Sequence, residues 1–158
     1  AKYRIVNNYL DDLHRRAGSV HVLELHGHLR EATCVRCYHV FSTAPLLDRF
    51  ADSAGVPLCP ECGGVLKPNA VLFEEQLPYD VVRQAQQWML STDLVLVVGS
   101  SLEVTPAALL PVQAANAGAR LIIVNREPTY LDERADAVLH EDAAEVLPRL
   151  ADEVLGET

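Results

Sequence analysis

The four cysteines of the sequence stand in two pairs, each of the form Cys-x-x-Cys. The pairs are Cys34 with Cys37 and Cys59 with Cys62. Such a turn brings two thiolates to one cation, and two such turns complete a tetrahedral Zn²⁺ site. Four thiolates leave no open coordination position, so the pattern predicts one structural zinc ion per chain. A reduced set without metal, or a set of disulfides, is the alternative.

Histidines stand close to the first pair, in the stretch ELHGHLREATCVRC from Glu24 to Cys37. The histidines and cysteines of this stretch could form one metal site or two separate sites. A site made of four cysteines needs no histidine. We therefore expect His28 and His39 to be exposed or hydrogen-bonded side chains rather than metal ligands.

Polar residues follow two strongly apolar segments further along the chain. Gly99-Ser100-Ser101 comes directly after the apolar run Leu94–Val98, and Asn125-Arg126-Glu127 ends the next such run. Open parallel sheets bind ligands at the carboxyl ends of their strands. Free N–H groups and hydroxyls there can hold phosphate. The pattern predicts a nucleotide cleft, with a purely conformational turn and an ordinary polar strand end as the alternatives.

Alternating strands and helices position these residues. The strand candidates are Tyr3–Asn7, Val20–Leu25, Leu94–Val98, Leu121–Asn125 and Ala137–Leu139, and the helix candidates are Leu10–Ala17, Tyr79–Leu90, Pro106–Ala117 and Ala143–Leu155. Such alternation is typical of an α/β fold with a parallel sheet, and Leu94–Val98 has the composition of a strand buried on both faces. Residues 31–67 hold all four cysteines and are predicted to form a loop-rich insert, with a helical piece near Ala44–Ala54.

The chain has 158 residues and a formal net charge of −9. This charge argues against direct binding to nucleic acid, which depends on clustered Lys and Arg. No stretch approaches the roughly 20 apolar residues that a membrane-spanning helix needs, and no signal-like segment is present. The cysteines are gathered in one local region of a large apolar chain, so we expect a reducing, cytoplasmic setting.

Taken together, these stretches resemble the sirtuins, the NAD-dependent protein deacylases. The matching pieces occur in the family's order over almost the whole chain. Besides the two cysteine pairs, they are DDLHRRAG (11–18), LELHG (23–27), LKPNAVLF (66–73), EQLP (75–78), VGSSLEV (98–104) and IVNREP (123–128).

The resemblance implies a Rossmann-like NAD-binding domain, residues 1–30 and 68–158, with residues 31–67 inserted as a small zinc-binding module. It implies an enzyme that consumes NAD⁺ as a co-substrate, with acylated lysine side chains of proteins as its partners. The products would be deacylated lysine, nicotinamide and O-acyl-ADP-ribose. The histidine of the Leu-His-Gly motif, His26, would be the general base, a role that suits imidazole near neutral pH.

Further roles are carried over by position. The residues that would contact NAD are Asn8, Asp11, Gly99, Ser100, Ser101, Asn125, Arg126, Glu127, Asp142 and Ala143. The residues that would line the acyl-lysine channel are Val71, Leu72 and Phe73. These three would pair with the substrate backbone as an added strand.

The sequence departs from the family pattern in four places. The family's N-terminal Gly-Ala-Gly loop, which covers NAD, has no counterpart here. Tyr9 stands where the family has an asparagine, while Glu74 and Glu141 each stand where it has a glycine. We therefore expect weak or no deacylase activity from this chain alone. A non-catalytic module that binds ADP-ribose, NAD or peptide, and a protein ADP-ribosyltransferase, are the rival functions.

Overall fold

The computed structural model describes residues 3–46 and 55–156. The chain divides into two compact units, Ala1–Val82 and Arg83–Thr158. The domain boundaries expected from the sequence, with a zinc module at 31–67, remain a prediction. No helix in the described part of the chain is long and apolar enough to cross a membrane.

The first unit opens with a small parallel sheet. Strand β1 (Ile5–Asn7) pairs with β2 (Val22–Glu24), and the short helix α1 (Leu13–Arg16) lies between them in sequence. The sequence prediction of a longer helix from residue 10 was wrong. Asp12 has a φ of 60°, in the left-handed region, so the chain cannot enter the helix before Leu13.

A second sheet of the first unit is antiparallel. It contains β3 (Gly27–Cys34), β4 (Val40–Ser42) and β5 (Leu66–Ala70) in the order β4-β3-β5. The expectation of a loop-rich segment over 31–67 was therefore wrong in part. These strands are short or interrupted, with Pro68 inside β5. The sequence therefore shows no alternation of apolar and polar residues that would predict them. The predicted helical piece near 44–54 lies, from residue 47 onward, outside the described residues.

The second unit is the α/β part that the sequence predicted. Helix α2 (Tyr79–Leu90) contains the boundary between the units, which falls after Val82. It is followed by β6 (Leu94–Val98), α3 (Leu109–Asn116), β7 (Arg120–Val124), a 3₁₀ turn (Asp132–Arg134), β8 (Ala137–Leu139) and α4 (Ala143–Leu155). All bounds of α2, β6, β8 and α4 agree with the sequence prediction. Helix α3 begins later than predicted, because residues 104–108 form turns.

The strands of this unit form one parallel sheet in the order β6-β7-β8. Its core contains Val97, Leu121, Ile123 and the loop residue Leu131, and the last three are almost fully buried. Because all three strands run the same way, the segments that follow them meet at one edge of the sheet.

Strand β6 differs from the sequence prediction in one respect. It lies at the edge of its sheet, and β7 is its only partner strand among the described residues. The side chains of Leu94 and Leu96 are 47% and 44% exposed. The prediction of a strand buried on both faces was therefore wrong for this structure, although the composition of β6 is that of such a strand.

Strands β3 and β5 approach each other unusually closely at Gly27. Gly27 pairs with Ala70, and a Cβ atom on Gly27 would lie 2.0 Å from the carbonyl oxygen of Asn69. Gly27 also has a φ of 73°, which disfavours a side chain independently of the space. Only glycine can occupy this position without moving one of the two strands.

Substitution of Gly27 tests this contact. We expect Gly27→Ala to lower the midpoint of thermal unfolding clearly more than Gly18→Ala, as followed by circular dichroism. Gly18 is the matched control, because it also has a positive φ but has nothing within 4 Å of an added Cβ. Gly18→Ala should lower the free energy of unfolding by only about 1–2 kcal/mol, the cost of placing an alanine in the left-handed region. Equal effects of the two substitutions would show that the approach to Asn69 is not limiting.

Candidate functional site

The four cysteines come together at one point in the first unit. Their Sγ atoms all lie within 4.8 Å of one another. The Sγ atoms of Cys34 and Cys62 are 3.5 Å apart, and those of Cys37 and Cys59 are 3.7 Å apart. Ligands about 2.3 Å from a tetrahedral zinc ion would be separated by about 3.8 Å, so the set fits this metal. The disulfide alternative does not hold, because all four cysteines are free.

The backbone around the cysteines forms two tight turns. The N–H of Tyr38 donates to the carbonyl of Cys34, and the N–H of Gly63 donates to the carbonyl of Cys59. Gly64 packs directly against the sulfurs, since an added Cβ would lie 2.8 Å from the Sγ of Cys34. The second turn therefore needs a residue without a side chain at position 64.

Two side-chain contacts tie the turns to each other. His39 Nδ1 lies 2.6 Å from a carboxylate oxygen of Glu61, and the guanidinium of Arg36 donates to the carbonyl of Cys62 at 3.2 Å. His39 is thus a hydrogen-bonded neighbour of the cysteine set, as expected from the sequence, and not a member of it. Both contacts connect the turn of the first cysteine pair with the turn of the second.

The cysteines share their protons unequally. A backbone hydrogen bond from Cys37 lowers the pKa of Cys34 to about 6, against the opposing effect of burial. The backbone N–H of His39 acts to lower the pKa of Cys37, but desolvation and the neighbouring thiols together raise it to about 12. Cys34 therefore loses its proton readily, whereas the loss of a proton from Cys37 is disfavoured. A divalent cation that replaces the protons relieves the repulsion between the thiolates.

His26 lies in the two-residue turn that joins β2 to β3. Its carbonyl accepts a hydrogen bond of 2.8 Å from the N–H of Val71, the first of the three predicted channel residues. The Nδ1 atoms of His26 and His28 are buried and have no hydrogen-bond partner among the described residues. An orphaned buried nitrogen calls for an explanation, and the backbone of His26 is hydrogen-bonded to the start of the predicted substrate strand.

An ion-pair network that the sequence did not reveal lies next to the turn between β2 and β3. Arg30 on β3 makes a two-pronged contact with Glu24 at 2.7 and 2.8 Å and also pairs with Asp12. The hydrogen bond from Arg30 holds the pKa of Glu24 below its usual range. Glu24 directly precedes the turn, so the network connects β2, β3 and the start of α1. The only sequence signal was a lone charge between Leu23 and Leu25.

The predicted channel residues end in a tight turn. The carboxylate of Glu75 accepts the N–H of Leu72 and pairs with Lys67 at 2.9 Å, while Phe73 is fully exposed. Glu74 has a φ of 70°. This conformation favours glycine, which agrees with the glycine that the family pattern has at this position.

The second unit holds a cleft of about 300 Å³ at the carboxyl ends of its strands. Most of the residues predicted to contact NAD line it together. They are Gly99, Ser101, Asn125, Arg126, Glu127, Asp142 and Ala143. Val124 and Glu141 complete the lining and were not among the predicted site residues.

Three predicted residues do not line this cleft. Ser100 turns its hydroxyl to the N–H of Leu102, at 3.4 Å. Asn8 and Asp11 belong to the first unit, where Asn8 is exposed and Asp11 accepts the N–H of Leu13. The N–H of Gly99 is already used, because this group donates to the carbonyl of Val124 at 2.9 Å.

Charged groups are paired inside the cleft. Arg126 pairs with Asp142, and the amide of Asn125 donates to the carbonyl of Glu127 at 2.7 Å. Asp142 also caps helix α4 by accepting the N–H of Ala144 at 2.9 Å. That N–H, followed by Arg126, keeps the pKa of Asp142 below its usual range. The arrangement gives the cleft carboxylate and amide acceptors suited to hydroxyl and amino donors.

Comparison with known proteins identifies the family. The model of the Sir2 family matches residues 1–106. The chain is 44% identical over 155 residues to a NAD-dependent protein deacetylase of Caldivirga maquilingensis, covering 98% of this chain and 59% of that protein. It is 45% identical over 151 residues to NAD-dependent protein deacetylase 1 of Geobacillus kaustophilus, covering 95% and 60%. The chain therefore belongs to the Sir2 family, the sirtuins.

Solved structures agree with this assignment. A structure of Sir2Tm bound to a propionylated peptide matches with a TM-score of 0.91 at 37% identity, over 98% of this chain and 65% of that one. A Sir2 structure with p53 peptide and NAD⁺ gives the same score and identity over 99% and 64%. The predicted fold is confirmed, and the chain spans about 60% of the length of the curated relatives named above.

Metal content gives a direct test of the cysteine set. We expect the purified chain to carry about one zinc ion, measured by atomic absorption. Removal by a chelator should lower the thermal midpoint by about 10 °C or more, because binding of a structural zinc contributes to folding free energy. Cys34→Ala should lose the metal, whereas the control His28→Ala should retain it. A zinc-free chain with an unchanged midpoint would contradict the assignment.

Proposed function

We propose that this chain belongs to a NAD-dependent protein lysine deacylase and carries its general base, its zinc site and half of its NAD site. The observation that supports this most strongly is the cleft of the second unit, where seven of the ten residues predicted to contact NAD lie together. The related deacetylases at 44% and 45% identity support the same activity. Because the chain spans about 60% of their length, the activity of the whole protein is part of the proposal.

In this proposal the cleft binds the ADP-ribose half of NAD⁺. The carboxylate of Glu127 would accept hydrogen bonds from ribose hydroxyls, and the amide of Asn125 would donate to them or accept from them. Since the N–H of Gly99 is already used, the phosphates would be bound by the hydroxyl and backbone amide of Ser101, which lines the cleft. Gly99 itself would let the phosphates approach the backbone closely, because it has no side chain, a φ of 59° and nothing within 4 Å of an added Cβ.

The first unit would supply the reacting groups on the substrate side. The acyl-lysine peptide would add as a strand along Val71, Leu72 and Phe73. His26, fixed by its carbonyl to Val71, would accept a proton from a ribose hydroxyl, so that this hydroxyl can attack the bound acyl group. Before this, the acyl oxygen would attack the ribose carbon of NAD⁺ that carries nicotinamide, and nicotinamide would leave. After the hydroxyl has attacked the acyl carbon, addition of water would break the bond between that carbon and the lysine nitrogen, which gives deacylated lysine and O-acyl-ADP-ribose. Asp11 would help to seat the nicotinamide.

The protein's setting is proposed from its thiols. Four free cysteines so close together would form disulfides in an oxidising compartment unless metal is bound first. A reducing, cytoplasmic compartment is therefore the setting that suits this site. Direct contact with nucleic acid is not proposed, because the net charge is −9.

Two residues favour a second candidate, a non-catalytic module that binds ADP-ribose or peptide. Tyr9 stands where the family pattern has an asparagine, and a phenol cannot offer the same pair of amide groups. Glu74 places a carboxylate beside the predicted peptide strand in a conformation that favours glycine. Either change could preserve binding while slowing turnover.

Substitution of His26 tests the catalytic part of the proposal. In the protein at its natural length, with NAD⁺ and an acetyl-lysine peptide, His26→Ala should reduce nicotinamide release by about 100-fold or more, the usual contribution of a general base. His28→Ala is the matched control, because His28 is two residues away and has the same orphaned Nδ1. Both variants should retain zinc. Full activity of His26→Ala would remove the residue from the mechanism.

Calorimetry on the 158-residue chain separates the candidates. We expect ADP-ribose to bind, and Asn125→Ala to weaken binding by about tenfold through loss of hydrogen bonds in the cleft. Gln87→Ala, an exposed change on helix α2, is the control and should have no effect. Binding together with negligible nicotinamide release by the natural-length protein would favour the non-catalytic module. Absence of binding would contradict both candidates.

A further inference from the structure

The imidazole of His26 lacks the hydrogen bond that usually orients a general base. Such a histidine is normally held through its second nitrogen, but Nδ1 of His26 is buried and has no partner among the described residues. The position of the ring therefore depends on the backbone of its turn. Two backbone hydrogen bonds hold that turn: Leu25 donates to the carbonyl of Asn7 at 3.0 Å, and the carbonyl of His26 accepts from Val71 at 2.8 Å.

A side-chain contact connects the two ends of the same turn. Glu24 is the last residue of β2 and Arg30 lies in β3, so these two residues flank the turn in sequence. Two nitrogens of the Arg30 guanidinium contact the two carboxylate oxygens of Glu24, at 2.8 and 2.7 Å. The side chain of Glu24 is only 9% exposed, which limits screening of the pair by salt. Because a two-pronged contact has a defined geometry as well as a charge, it constrains how the turn is placed.

Two further charged groups hold this contact in position. Asp12 also accepts a hydrogen bond from the guanidinium of Arg30, and Nε of Arg15 lies 3.4 Å from Glu24. The cluster thus has two carboxylates and two guanidinium groups. Their formal charges cancel, as charges that are shielded from water require. Arg30 contacts both carboxylates, so it is the residue whose geometry the cluster depends on.

We propose that Arg30 is a positioning residue for His26. It constrains the turn through Glu24, and the turn in its place orients an imidazole whose Nδ1 has no anchor among the described residues. The inference rests on the proposed role of His26 as general base and adds a residue that acts only through it. A misplacement of about 1 Å can cost about 100-fold in rate, so a loosened turn should slow turnover without weakening substrate binding.

A double-mutant cycle in the protein at its natural length tests this role. Formation of deacylated peptide is measured with saturating NAD⁺ for the wild type, Arg30→Lys, His26→Ala and the double variant. Arg30→Lys keeps the charge but cannot make the two-pronged contact, and it should lower kcat by about tenfold with little change in KM for the acetyl-lysine peptide. In the His26→Ala background the same substitution should change kcat by less than about twofold, because its effect passes through a side chain that has already been removed.

Arg134→Lys is the matched control. Arg134 is an exposed arginine that donates to the side chain of Asn116 at 2.7 Å, outside the cluster around Arg30. The same substitution there should leave both kcat and KM at their wild-type values.

Two results would overturn the inference and leave the proposed function standing. One is wild-type kcat in Arg30→Lys, and the other is an equal loss of kcat from Arg30→Lys with and without His26, which would show a general structural role. Full turnover by His26→Ala would instead refute the proposed general base, and this inference with it.

Thermal unfolding shows whether each variant keeps its fold. If Arg30→Lys does not fold, Glu24→Gln takes its place in the cycle with the same expectations, because it keeps the shape of the side chain and removes the charge. Loss of the fold in both variants would mean that the cluster is needed for folding as such, and would overturn the inference.

Discussion

The first unit depends on the close pairing of β3 with β5. At one end Gly27 meets Asn69 and Ala70, and at the other end Cys34 pairs with Leu66. An eight-residue strand extends over about 23 Å. The turn of His26 and the first zinc ligand are therefore attached to opposite ends of one strand. Within residues 24–37 the turn that contains His26 and the first cysteine pair are therefore separate, and β3 connects them.

The parts of the structure that follow a local rule could be predicted from sequence. Strand β6 and helices α2 and α4 each have a pattern that lies within one segment, and their bounds agree with the prediction. The cysteine set could be predicted for the same reason, because a Cys-x-x-Cys turn is a local structure. The order of the motifs along the chain predicted the remaining site residues. Seven of the residues predicted to contact NAD line one cleft.

Features that depend on contacts between distant residues were missed. The sheet β4-β3-β5 arises from pairing across residues 27–70, and its strands are too short to show a period. The contact between Arg30 and Glu24 requires β2 and β3 to fold back on each other. The N–H of Gly99 donates to the carbonyl of Val124 on the neighbouring strand, a contact that the local sequence of the Gly-Ser-Ser turn could not show.

The exposed edge of β6 has a consequence for how this chain behaves in solution. No second strand pairs with β6 within residues 3–46 and 55–156, so its outer edge and the half-exposed Leu94 and Leu96 offer a template on which another extended segment can add. The chain has none of the usual protections on this strand, since LVLVV contains neither a charge nor a proline. Whatever segment covers this edge therefore controls colloidal stability, and a preparation in which it is bare will tend to self-associate as its concentration rises.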